Sequence, residues 1–76
     1  MAVANEHRDS WLSGEQVPGV DLRLNDSVEI TGGPKQGETG AVISLEHVDP
    51  EPTFLVELGA TGSEITLPQS MLRRLD

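Results

Sequence analysis

From residue 22 onward, apolar and polar positions alternate in short runs. Leu22, Leu24, Val28 and Ile30 recur at period two, broken by the turn-like pair Asn25-Asp26, and predict a strand with one buried face. A second run, AVISL at residues 41–45, predicts another strand, with Val42 pointing to one side and Ile43 and Leu45 to the other. Its end is marked by HVDPEP, where two prolines and two acids favour a loop. TFLVEL at residues 53–58 and EITL at residues 64–67 read as the third and fourth strands, joined by the hairpin connection GATG. Pro68 stops the fourth strand, and PQSM has the length of one 3₁₀ turn before a short final strand in LRRL. Five short strands with glycine-rich turns and no helical period predict an all-β domain. A closed sheet is the expected architecture, because closure removes edges that would otherwise pair with other chains.

The first twenty residues follow no such period. They mix charged and small residues and end in QVPGV, whose Pro18-Gly19 is a breaker. The expected organisation is a flexible N-terminal tail over residues 1–20 and a barrel over residues 21–76. Trp11 and Leu12 are the only bulky apolar pair in the tail. Docking of Trp11 on the barrel is favoured over exposure to a partner, since a small core needs the area of an indole ring.

Composition narrows the functional classes. A chain of 76 residues supports one core, burying roughly 60% of the surface its unfolded form exposes. With no cysteine there is neither a disulfide framework nor a thiolate metal site, which fits a reducing compartment. Glu6, His7, Arg8 and Asp9 stand where a signal peptide needs an apolar run, and no stretch approaches the ~20 apolar residues of a membrane helix. A cytoplasmic protein is therefore expected. The net charge of −8, from 13 acidic against 5 basic residues, disfavours a general nucleic-acid coat and favours a basic partner.

Catalytic signals are weak. The serines show no histidine and carboxylate constellation, and Glu29 and Glu57 fall at alternating positions expected to face solvent. His47, Asp49 and Glu51 occur at alternate positions, as metal ligands on a strand would, but the prolines among them favour a solvated acidic turn. No enzyme activity, cofactor or metal is expected.

The distinctive segment is TGGPKQGETG at residues 31–40. As a phosphate cradle it fails on context, since a P-loop ends in Gly-Lys-Ser or Gly-Lys-Thr and feeds a helix, whereas these glycines feed a strand. The geometrical reading is a tight return between strands, with Gly32, Gly33, Gly37 and Gly40 free to adopt positive φ and Pro34 holding φ near the value a turn needs. Residues 26–45, DSVEITGGPKQGETGAVISL, resemble a KOW motif, the strand-loop-strand unit of the C-terminal domain of NusG-type transcription elongation factors and of a family of bacterial ribosomal proteins. The matching positions are Asp26, Val28, Ile30, Gly33-Pro34, Gly37, Gly40 and Val42, and FLVELGATGSEITLPQSMLRRL is similar to the later strands of that SH3-like barrel.

The resemblance covers residues 22–76 and implies a five-stranded SH3-like barrel of KOW type. It also implies a non-catalytic binding role in the transcription or translation machinery. On that basis a protein partner, ribosomal or polymerase-associated, is expected at Gly33, Pro34, Lys35, Gln36, Gly37, Thr39, Gly40 and Phe54, with Trp11 as a further anchor. The alternatives are an RNA contact through the loop with Lys35, Arg73 and Arg74, and a structural accessory subunit of a larger complex. Arg23 is a further candidate for a basic patch with Lys35, Arg73 and Arg74, since the first and last strands of a closed sheet are often neighbours.

Overall fold

The alternating runs become five antiparallel strands of one sheet: β1 (Ser27–Ile30), β2 (Thr39–His47), β3 (Thr53–Leu58), β4 (Glu64–Pro68) and β5 (Leu72–Arg74). They belong to a computed structural model that describes residues 9–75. The order across the sheet is β4-β3-β2-β1-β5, so the last strand returns to lie beside the first. A 3₁₀ turn, Gln69–Met71, joins β4 to β5, as the length of PQSM implies. Among the described residues the strand pairings stop at β4 and β5. The 3₁₀ turn, and no β4–β5 ladder, spans the corner that a closed barrel would seal. No helix among the described residues is long and apolar enough to cross a membrane.

Two details depart from simple alternation. The first strand begins only at Ser27, because residues 23–26 form a turn: the Asp26 carboxylate accepts the Arg23 N–H at 2.8 Å, and Asn25 takes a positive φ of 71°. Leu24 is thereby lifted out of the strand and left 39% exposed. In β2, Val42 and Leu45 both point inward, contrary to the expected split between faces. The register shows why: Val42 pairs with Val56, Ser44 with Leu55 and Leu45 with Phe54, leaving Ile43 as an extra residue in a β-bulge. The bulge shifts the phase by one residue, so inward positions three apart replace positions two apart. A second shift follows between Leu45 and His47, where Glu46 is the extra residue.

The core is built from Val28, Ile30, Val42, Leu45, Phe54, Val56 and Leu58, all essentially inaccessible. Each such side chain contributes roughly 1.5–3 kcal/mol over its exposed state. Residues 9–20, assigned to the tail by sequence pattern, add Trp11, Val17 and Val20 to the apolar cluster, and Leu22 joins them. Residues 9–12 make a helical turn that sets the indole over Phe54, the ring centroids 6.0 Å apart and tilted by 45°. The indole Nε1–H donates to the Leu22 carbonyl at 2.6 Å, so the polar edge of the buried ring is satisfied. Packing therefore extends across the expected boundary at residue 20, and the remainder of the expected tail, residues 1–8, lies outside the described residues.

Candidate binding surfaces

The loop between β1 and β2 is shaped by its own backbone. Gly37 N–H donates to Ile30 O and Ile30 N–H to Glu38 O, each at 2.8 Å, which clamps the ends of the loop together. Within it, Gln36 N–H reaches Gly33 O and Glu38 N–H reaches Lys35 O, giving two successive turns. Gly33 and Gly37 sit at φ of 82° and 93°, where a side chain would be strained. Of the four glycines free to adopt positive φ, Gly33 and Gly37 use that freedom, and Gly32 and Gly40 do not. Gly40 is required for another reason: a Cβ there would lie 2.4 Å from the Glu57 carbonyl oxygen, so the closeness of β2 to β3 excludes any side chain.

The residues expected at a partner surface consequently divide. Gly33, Pro34, Lys35, Gln36 and Gly37 are exposed at the loop tip, and Thr39 is exposed at the start of β2. Gly40 is half-buried within the sheet, facing β3. Phe54 is wholly buried, paired across the sheet with Leu45 and Leu67 and capped by Trp11. An aromatic contact at Phe54 is thus withdrawn from the surface, because its register places it on the inner face with Val56 and Leu58. Trp11, the other expected anchor, is only 3% exposed.

The basic residues are also dispersed. Lys35 Nζ lies 3.9 Å from Glu38 Oε2, both side chains being partly exposed. Arg73 is bonded to Glu29, its cross-strand neighbour in the β1–β5 ladder. Arg74, next along the strand, lines a different surface, a groove shared with Asp21 and Glu51. Arg23 and Arg74 meet in a smaller recess of 200 Å³ beneath the N-terminal segment. Lys35, Arg73 and the pair Arg23 and Arg74 thus occupy three settings, each with acids close by.

That groove, of 590 Å³, is the surface feature that pattern reading missed. It is lined by Asp21 and Leu22, by Leu72 and Arg74 of β5, and by Glu51, Gln69 and Ser70. The side-chain amide of Gln69 ties down the segment that carries Asp21. Its Oε1 accepts the Asp21 N–H at 2.8 Å while its Nε2 donates to Gly19 O at 3.1 Å, the pattern a backbone peptide would make in a ladder. Gln69 N–H in turn reaches Pro52 O at 2.7 Å, and Glu51 Oε2 accepts the Ser70 N–H at 2.7 Å. Glu51, which alternates with His47 and Asp49 in the acidic turn, is thus engaged with the 3₁₀ turn. Among the described residues no three histidine, cysteine or acidic side chains are grouped to hold a metal. No local pattern links Asp21 to Gln69, 48 residues apart. The available signal was a single amide side chain directly after Pro68.

No protein-family model matches this chain, and a search of curated proteins finds no significant match.

Proposed function

We propose that this chain is a small, non-catalytic binding module of SH3-like, KOW type that docks a basic protein partner, in the transcription or translation machinery by resemblance. The observation that carries the reading is the state of the cations. Of the three expected at a phosphate backbone, Lys35 has the Glu38 carboxylate 3.9 Å away and Arg73 is paired with Glu29, on a chain whose net charge is −8. A polyanion is repelled by such a surface at a distance, whereas a basic protein is attracted and oriented by it. The exposed tip from Gly33 to Gly37 is held by backbone bonds at its base, so presenting it costs little ordering entropy on docking.

The test is an amide NMR titration of the labelled protein with a ribosomal protein fraction and, separately, with a mixed short RNA at low salt. Saturable shifts with the protein fraction and none with RNA support the reading. Salt-sensitive shifts centred on Lys35 with RNA alone would replace it with an RNA-contacting module.

A further inference from the structure

The β5 edge and the groove beside it form a second surface, distinct from the β1–β2 loop. The ladder phase defines which way its backbone faces. Thr31 N–H donates to Met71 O and Leu75 N–H to Ser27 O, so residues 71, 73 and 75 direct their peptide groups at β1. Antiparallel alternation then turns those of Leu72 and Arg74 to the opposite side, toward the groove. The Leu72 N–H is taken by Gln69 O within the 3₁₀ turn, and the Leu72 carbonyl is an acceptor on that side, beside the peptide groups of Arg74. The Asp21 N–H and the Gly19 carbonyl are taken by the Gln69 side-chain amide.

The electrostatics of the groove select the occupant. Two carboxylates, Asp21 and Glu51, share it with one guanidinium, Arg74, so it is net negative inside a net negative molecule. One oxygen of each carboxylate is engaged, Asp21 Oδ2 with Gln69 Nε2 at 3.4 Å and Glu51 Oε2 with the Ser70 N–H. Both carboxylates are thereby fixed in the groove, beside Arg74. Leu22 and Leu72 supply the apolar part of its lining.

We infer that this groove binds an extended peptide segment carrying a lysine or arginine, with its cationic side chain between Asp21 and Glu51 and one of its backbone N–H groups on the Leu72 carbonyl. Strand addition of this kind draws affinity from main-chain bonds and selectivity from the side-chain pocket. The inference rests on the reading of the chain as a protein-docking module and specifies where and by what chemistry a partner is held.

The probe is a capped pentapeptide, threonyl-valyl-lysyl-valyl-threonine amide with an acetylated N-terminus, titrated into the labelled full chain at low ionic strength. A second peptide carries glutamate in place of the lysine. The expected result is saturable amide shifts at Asp21, Gln69, Ser70, Leu72 and Arg74 with the lysine peptide, fading with added salt, and none with the glutamate peptide. Asp21→Asn and Glu51→Gln, which both keep a hydrogen-bond acceptor, should each weaken binding by about three- to fivefold. Glu64→Gln, an equal change of charge remote from the groove, should leave it unaltered. Equal shifts with both peptides, shifts confined to β4 or to the β1–β2 loop, or no shifts at all would overturn the inference. The ribosomal protein titration keeps the two levels apart: shifts there outside the groove would retain the docking module while rejecting this site.

Discussion

Trp11→Ala removes a ring that is 3% exposed, rests on Phe54 and donates its N–H to the Leu22 carbonyl. An indole of this kind buries about 150–250 Å², which at about 25 cal/mol per Å² corresponds to roughly 4–6 kcal/mol. Truncations of buried aromatic rings to alanine cost about 3–5 kcal/mol in practice, and here the Leu22 carbonyl also loses its donor. A domain of 76 residues is stable by about 4–11 kcal/mol, so the substitution should remove a large part of the whole. Trp11→Phe separates the two contributions: it keeps most of the apolar contact and deletes the hydrogen bond, at a cost of about 1–2 kcal/mol.

The assay is urea unfolding followed by far-ultraviolet circular dichroism, with intrinsic fluorescence as a second probe of the parent protein. Because the chain has a single tryptophan, its emission reports this site alone. Blue-shifted emission, shielded from iodide and lost in the same transition as the sheet signal, is expected. With a urea slope near 1 kcal/mol per molar, the lowest typical of small domains, Trp11→Ala should move the midpoint down by about 3 M or leave the chain unfolded without denaturant. A change below about 1 kcal/mol, or red-shifted emission that quenches freely, would refute the packing of residues 9–22 as part of the core.

Three further outcomes follow from geometry already described. Gly40→Ala should destabilise by about 1–3 kcal/mol in urea melts, since its Cβ meets the Glu57 carbonyl, whereas Gly32→Ala, whose Cβ meets only Met71 at an ordinary 3.5 Å, should be nearly silent. Glu57 and Glu64 lie directly opposite on β3 and β4, so Glu64→Lys should raise stability by about 0.2–1 kcal/mol at low salt, a gain that disappears at high salt. Gln69→Leu should cost about 1–3 kcal/mol and accelerate hydrogen exchange of the Asp21 amide, which loses its acceptor; unchanged exchange there would remove the amide bridge from the account.

What the chain reveals before folding depends on how local the cause is. The span of β3 is readable because its apolar run is bounded by the prolines before it and the glycine-rich turn after it, and the 3₁₀ turn follows from the length of PQSM before LRRL. The faces of β2 are not readable, because the bulge at Ile43 is produced by register against β3, and no residue type marks it. Trp11, Val17 and Val20 follow no sustained period, yet all three join the core cluster, with Leu22 beside them. The loop tip was legible from Gly33, Pro34 and Gly37. The groove was not, since its walls come from residues 21–22, 51 and 69–74, brought together only by the return of β5 to β1.

The fate of the aromatic rings constrains any docking role. The chain holds one tryptophan and one phenylalanine, and no tyrosine, and the two rings face each other inside the core. The aromatic anchors that dominate many protein interfaces therefore cannot come from this side without unfolding residues 9–22. What the surface presents instead is a clamped glycine loop, a strand edge with an oriented carbonyl, and an excess of carboxylates. Such features favour partners that bring their own cations and extended backbone. Rim charges act more on encounter and specificity than on final affinity, so on the proposed reading association should be fast, selective for basic sequences and sensitive to salt. The same reasoning links the interior to the exterior: with both rings committed to a small core, docking on the proposed reading falls to backbone and charge.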